Sequence, residues 1–499
     1  MKTRPNVLLI LTDQHRRDTL GCYGAPQCQT PHIDGLAQRG IRFDNAYPLI
    51  SPCAPSRASL YTGRYGHITG VDTNGGKLDQ SLPNLATELP QAGYQLGYAG
   101  KWHVDNDRPP SECGFRCKRD FPGYGYPVTN ANMPGVKTGP KEDSLISRNY
   151  VDYLQEQGLE PPALLEAFYG KGNPGLLDRE LAGLHAGGID HNFEAMVAAE
   201  TIEQLEQFAE RDESFFMWTN FWGPHSPCIV PEPYYSMYDP RSIPEDPSFC
   251  DDLKRRPYAQ TLVSRYWGID PDNWEDWQEI VARYWGYVTM IDDLVGRMLG
   301  ALDRLGLVDD TIVILSTDHG DNMGAHKLFE KGPFFDDECF RIPMIAAHPD
   351  CSRPGGTTDE FVYLQDLFSS LLEVAGLEGE AQPDTQSILP LLKGQRLLPV
   401  QRPDTGPSVP HGAHPYPQVR LQPGGYRRVV RPGRGPSRAG QSIWAARTPR
   451  HSGGAHGAHA DAHGARRRPH ARAVYAGQAH LLSTGREIFS RKRLCPARD

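Results

Sequence analysis

The stretch Asn6-Val-Leu-Leu-Ile-Leu-Thr12 is nearly all apolar and stops at the polar Asp13-Gln14-His15. A short unbroken apolar run is the mark of a strand buried on both faces. Phe215 to Trp222 repeats the pattern and ends at Gly223-Pro224-His225. Thr311 to Ser316 repeats it again before Asp318-His319-Gly320-Asp321. A shorter strand, Tyr98 to Gly100, ends at Lys101. Between these strands the apolar spacing changes to that of helices. Helices are predicted over Thr30 to Gly40, Leu82 to Ala92, Phe193 to Arg211 and Phe361 to Ala375. In the third of them Met196, Val197, Ile202, Leu205 and Phe208 give the apolar residues a helical spacing. A long amphipathic helix is predicted from Gln278 to Leu305. Strands and helices in alternation predict an α/β fold with a mostly parallel sheet. In such sheets ligands gather at the carboxyl ends of the strands. Those ends here carry Asp13, Lys101, His225 and Asp318.

Two regions break the pattern. From 105 to 190 Pro, Gly and Tyr are frequent and periodicity is poor, so an irregular insertion is expected, lining a substrate cleft. Tyr124, Tyr126 and Pro127 within it are candidates for stacking on a ring. After Gly394 the composition shifts abruptly: residues 401–499 hold 17 Arg, one Lys and only four acids. They also hold eight of the 18 His, with no hydrophobic period. The expected organisation is a catalytic domain over 1–394 and an Arg/Pro/Gly/His-rich region over 395–499. That last region reads as a basic disordered tail, a poorly patterned small domain, or translation in a shifted frame. The excess of Arg over Lys, with Ala, Gly, Pro and His, favours the third.

Composition excludes several classes. With 38% hydrophobic and 23% charged residues, the chain is neither wholly disordered nor fibrous. A net charge of -9 gives no general drive toward nucleic acid or an anionic membrane, and neither is expected as a partner. No apolar run reaches membrane-spanning length, and the start shows no secretory leader. Ten cysteines without C-x-x-C spacing read mostly as reduced thiols, so a cytoplasmic location is expected.

Candidate chemistry begins at Ser51-Pro-Cys-Ala-Pro-Ser-Arg-Ala-Ser-Leu-Tyr-Thr-Gly-Arg64. Cys53 lies in a Pro-bounded loop before a predicted helix, with Arg57 one turn on. A helix N-terminus favours negative charge, so the two residues can face one anion. Taken alone, they fit a loop cysteine beside a surface arginine at least as well. A second constellation joins Asp13 and Gln14 at one strand end with Asp318 and His319 at another. Two carboxylates, an amide oxygen and an imidazole suit a divalent cation with mainly oxygen ligands.

The motif C-x-P-S-R followed by Thr-Gly resembles the signature of the sulfatase family. A second family signature is similar to Gly93-Tyr-Gln-Leu-Gly-Tyr-Ala-Gly-Lys-Trp-His103. The resemblance continues through Gly223-Pro-His225, Asp292-Asp293, Ser316-Thr-Asp-His-Gly320, Glu330-Lys-Gly332 and Arg341-Ile-Pro343, in order. Pro52, Tyr61 and Leu96 depart from the usual residues at their places.

This resemblance implies an alkaline-phosphatase-like fold: a large mixed, mostly parallel sheet sandwiched by helices. Its small C-terminal subdomain would be degenerate or missing here. It implies that a formylglycine-generating enzyme, reading C-x-P-x-R, oxidises Cys53 to formylglycine. It implies Ca²⁺, or else Mg²⁺ or Mn²⁺, held by Asp13, Gln14, Cys53, Asp318 and His319. Gln14 stands where most relatives have a second Asp, as in related phosphonate monoester hydrolases and some bacterial sulfatases. Lys101, Lys331 and Arg57 would neutralise the sulfate oxygens. His103 and His225 are the expected base and acid. Asn74, with Lys101, His225 and Lys331, would bind substrate, and His326 with Lys327 would form a rim. One hydroxyl of the hydrated aldehyde would attack sulfur, and the second would let sulfate be expelled. The implied substrate is a sulfated small molecule or sugar. Alternatives are a phosphonate monoester or phosphodiester hydrolase on the same scaffold, and an inactive product lacking a native C-terminal region.

Overall fold

The computed structural model describes residues 4–121, 145–170 and 180–397, apart from 212, 255, 333 and 378–383. Residues Met1–Val400 form one compact unit. The second unit, Gln401–Asp499, lies outside the described residues, and with it the expectations made for the Arg-rich region. Tyr124, Tyr126 and Pro127 lie outside them too.

In chain order the strands are β1 (Asn6–Asp13), β2 (Ile41–Tyr47), β3 (Gln95–Gly100), β4 (Arg116–Cys117), β5 (Leu164–Tyr169) and β6 (Glu180–His185). They continue with β7 (Phe215–Pro224), β8 (Cys228–Val230), β9 (Thr311–Thr317), β10 (Met344–Ala347) and β11 (Gly356–Tyr363). Eight of them build one sheet in the order β11-β2-β10-β9-β1-β7-β3-β4. Only β10 runs antiparallel to its neighbours, β2 and β9. The sheet is therefore mixed and mostly parallel, as expected.

Why β1 is apolar at every step becomes plain from its two faces. Leu8 and Ile10 enter one core, while Val7, Leu9 and Leu11 enter the other. Side chains alternate along a strand, so a strand covered on both sides needs apolar residues at consecutive positions. The first core takes Ile33 and Leu36 from the helix Pro31–Arg39, Leu205 and Phe208 from Phe193–Ala209, and Leu294 and Met298 from Trp274–Arg304. The second takes Ala58 and Leu60 from the helix Cys53–Thr62 and Phe368 and Leu371 from Asp366–Val374. The parallel neighbours β9, β1, β7 and β3 then bring their carboxyl ends to one edge. That edge carries Asp318, Asp13, His225 and Lys101 side by side.

Several expectations need correction. The predicted helix Phe361 to Ala375 begins as β11, and the helix proper is Asp366–Val374. The Thr- and aromatic-containing run before it pairs with β2 instead. Leu82 to Ala92 is two short turns, Leu85–Glu88 and Leu89–Ala92, because Pro90 supplies no amide hydrogen to continue a helix. The region 105–190 is less irregular than its composition suggests. It includes the helix Leu145–Glu156 and the strands β5 and β6, which form a second sheet with β8.

Candidate active site

Cys53 opens a helix in which all ten residues are buried. A helix hidden on every side needs small or apolar residues, and Ala54, Ser56, Ala58 and Ser59 provide them. Pro55 has no N–H and so leaves no unpaired donor in the first turn. The Ala54 N–H is taken by the Asn74 side chain at 3.2 Å.

The thiol of Cys53 faces the strand ends. Its Sγ lies 3.0 Å from His319 Nε2 and 3.8 Å from Asp13 Oδ1. Asp13, Cys53, Asp318 and His319 each offer one ligand atom, all within 4.8 Å of one another and all buried. His319 Nδ1 meets the Gly320 carbonyl at 2.8 Å. That contact fixes a proton on Nδ1 and aims Nε2 into the cluster. Burial disfavours a charged His319, yet Asp318 and Cys53 raise its pKa to about 9. The negative surroundings that attract a proton also suit a divalent cation. The donor set thus fits a metal.

Arg57 is placed differently from the sequence-based expectation. The family resemblance puts it against the sulfate oxygens, but all three guanidinium nitrogens are engaged inside the protein. Nε donates to Asp318 Oδ2 at 2.8 Å, and Nη2 donates to Asp13 Oδ2 at 3.1 Å. Nη1 donates to Asn220 Oδ1 at 2.8 Å and to the Lys101 carbonyl at 3.3 Å. Arg57 has no solvent exposure. Burial opposes its charge, but Asp318 and Asp13 hold its pKa above the ordinary arginine range. It orients two candidate metal ligands and offers nothing to a substrate.

Lys101 follows Gly100, whose φ is +94° and where a Cβ would stand 1.9 Å from the Asn220 carbonyl oxygen. No other residue fits that turn. The turn delivers the Lys101 ammonium to Asp13. Burial alone would raise the Asp13 carboxyl, but Lys101, His225, Arg57 and His319 together hold it well below the usual range. His103 is buried nearby. Its desolvation, with Lys101 and Arg57 adding to it, pushes the imidazole well below its ordinary value, which favours the neutral ring.

On the other side His225 Nδ1 meets the Ser226 carbonyl at 2.7 Å, leaving Nε2 to the Lys331 ammonium at 2.6 Å. Burial first, then Lys331, lowers the His225 pKa well below the ordinary value. Lys331 also donates to Gln14 Oε1, and the Gln14 amide nitrogen donates to Asp321. As a metal ligand, Gln14 would share its oxygen with Lys331. Gln14 (φ 64°), His103 (φ 46°) and Glu330 (φ 59°) hold left-handed backbone. Such conformations cost about 1–3 kcal/mol each and gather where the surroundings enforce them. Hydrogen bonds from Tyr284 Oη to the Gln14 carbonyl and from the Gln14 N–H to Asp318 fix the first of these.

Three other expected residues are engaged by protein partners. Asn74 binds the Ala54 N–H and, through its carbonyl, Asn106 Nδ2 at 2.9 Å, so it braces the Cys53 helix. His326 lies 2.6 Å from Arg256 and 3.3 Å from Asp251, and Lys327 lies 2.6 Å from Asp272. These pairings occupy the expected rim. Asn220 and Asp321 were missed. Both could have been suspected as polar residues at the ends of apolar strands.

The sulfatase family model matches residues 5–377. An arylsulfatase of Clostridium perfringens is 30% identical over 433 residues, covering 83% of this chain and 82% of that protein. The uncharacterised sulfatase YidJ of Escherichia coli is 29% identical over 402 residues, covering 80% and 72%. Among solved structures, the phosphonate monoester hydrolase of Agrobacterium radiobacter aligns with a TM-score of 0.64 at 27% identity, covering 79% of this chain and 78% of the other.

Proposed function

The chain belongs to the sulfatase family, and from that premise we propose that it hydrolyses sulfate esters to an alcohol and inorganic sulfate, with Cys53 oxidised to formylglycine as nucleophile. One convergence supports this: Cys53 Sγ lies 3.0 Å from His319 Nε2 in a buried carboxylate cluster, with Lys101 on one side and Lys331–His225 on the other. The catalytic domain is residues 1–394. The substrate is a sulfated small molecule or sugar. Maturation needs a formylglycine-generating enzyme that reads Cys53, Pro55 and Arg57. Among the described residues the cysteines other than Cys250 are free thiols, which supports a cytoplasmic location. No helix among the described residues is long and apolar enough to cross a membrane.

Asp13, Asp318, His319 and the Cys53-derived oxygen, with Gln14 beside them, would hold Ca²⁺. A bound divalent ion supplies Lewis-acid polarisation of a sulfate oxygen and of the nucleophile. The hydrated aldehyde supplies one hydroxyl for attack and a second for release of sulfate. Lys101 and Lys331 neutralise charge on the sulfate oxygens, at positions their carboxylate and amide partners fix. Lys331 and His225 share a hydrogen bond and hold a proton for the leaving oxygen. Neutral His103 takes the proton when sulfate leaves.

Metal removal gives one test. Exhaustive dialysis against a chelator is expected to cut activity at least ~100-fold. It should also remove about 2.7 kcal/mol of stability relative to protein saturated at 100 times its Kd. The denaturation midpoint reads the second effect, and added Ca²⁺ should reverse both. An unchanged midpoint and unchanged activity would exclude a structural cation.

A second reading is phosphonate monoester or phosphodiester hydrolysis. Gln14 keeps it open, and the likeness to the Agrobacterium radiobacter hydrolase supports it. Comparing kcat/KM for nitrophenyl sulfate and for a phenylphosphonate monoester separates the two. Sulfate is expected to dominate; a dominant phosphonate activity would replace the first reading with the second.

A further inference from the structure

Strand β7 does not stay in register to its end. Leu11 of β1 pairs with Asn220, yet Asp13 pairs with Pro224. One residue on β1 therefore faces three on β7, Phe221 to Gly223. The pairing of β7 with β3 also stops at Asn220. Extra residues in one strand bend it and re-aim the chain beyond them, and such bulges collect beside functional sites. The residue just beyond this strand is His225.

Backbone N–H groups released from a ladder and buried must find other acceptors. Those of Trp222 and Gly223 find a single carboxylate. Glu194 Oε2 accepts from the Trp222 N–H at 3.1 Å, and Oε1 accepts from the Gly223 N–H at 2.7 Å. The Tyr287 hydroxyl donates to the same Oε1 at 2.7 Å. Glu194 is fully buried in the first turn of the helix Phe193–Ala209, and Tyr287 comes from the helix Trp274–Arg304. The bulge is thus bolted to two helices. On one side of it Asn220 holds Arg57; on the other His225 meets Lys331.

We propose that Glu194 is a positioning residue for His225: its carboxylate, braced by Tyr287, fixes the β7 bulge that brings the His225 imidazole to Lys331. This rests on the reading of the hydrogen-bonded Lys331–His225 pair as the source of the proton for the leaving oxygen. The consequence is specific. A displaced acid harms substrates whose alcohol leaves poorly and barely affects those whose alcohol leaves well. Loss of folded protein harms both equally.

The test compares wild type with Glu194→Gln on an alkyl sulfate and on nitrophenyl sulfate. The amide keeps the shape but points an N–H₂ group at one of the two backbone donors. The expected losses in kcat are about 30-fold for the alkyl ester and about 3-fold for the nitrophenyl ester. Tyr287→Phe removes one bond to the same carboxylate and should show the same ordering with smaller losses. It serves if Glu194→Gln does not fold. A crystal structure of the variant gives a readout independent of substrate: His225 Nε2 should move out of hydrogen-bond range of Lys331 Nζ. Equal losses on both esters, or an unmoved His225, would overturn the proposal. If wild type hydrolysed neither ester, the sulfatase reading would fail, and the crystallographic result would still decide the role of Glu194.

Discussion

Replacing Cys53 by alanine is expected to lower kcat by about four orders of magnitude or more, the usual cost of deleting a catalytic nucleophile. That equals a barrier increase of about 5.5 kcal/mol. The fold should survive, because alanine is a good helix former and fills less space than cysteine in a buried first turn. Serine at this position is more informative. A single hydroxyl can attack sulfur and release one equivalent of alcohol. It lacks the second hydroxyl needed to expel sulfate, so the variant should give a burst of at most one alcohol per protein and then stop. Rapid-quench measurement of alcohol release checks this. Sustained turnover by Cys53→Ser would mean that no aldehyde hydrate is needed.

The second large effect is on stability. Arg57→Ala leaves Asp13 and Asp318 buried without their fully buried guanidinium partner. Breaking a buried charge pair from one side costs about 3–5 kcal/mol. A urea midpoint measured without divalent cation should fall accordingly. Arg57→Lys should recover little, since one ammonium cannot reproduce the fork that reaches Asp13, Asp318 and Asn220 at once. Added Ca²⁺ should narrow the gap, because it supplies positive charge to the same carboxylates. A variant as stable as wild type would show that Arg57 does not balance this cluster.

The strands that carry the site are legible in the sequence because they are buried on both faces. β1, β7 and β9 read as largely apolar runs, and each leads to residues that meet at one sheet edge. β2 carries Arg42, Asp44 and Asn45 and shows no clear period, and β10 has only four residues. β11 merges with a helix in the sequence pattern because its last apolar residues adjoin a true one. Within the site, Asp13, Cys53, Asp318 and His319 can be named from chain position and motif. The side-chain geometry cannot. Nothing local says that Arg57 turns inward, since its anchor Asn220 lies 163 residues away. The same holds for Gln14, whose partners Asp321 and Lys331 are more than 300 residues distant. The role of Glu194 appears only once the β7 bulge has exposed two backbone donors.

Everything proposed for catalysis depends on Cys53 acting only after its oxidation. Mass spectrometry of the Cys53 peptide, from natively expressed protein with measured sulfatase turnover, tests this most directly. Formylglycine in place of cysteine lowers the peptide mass by about 18 Da, as sulfur and two hydrogens give way to oxygen. The lighter peptide is expected in proportion to activity. Full turnover with only unmodified Cys53 would contradict the formylglycine mechanism.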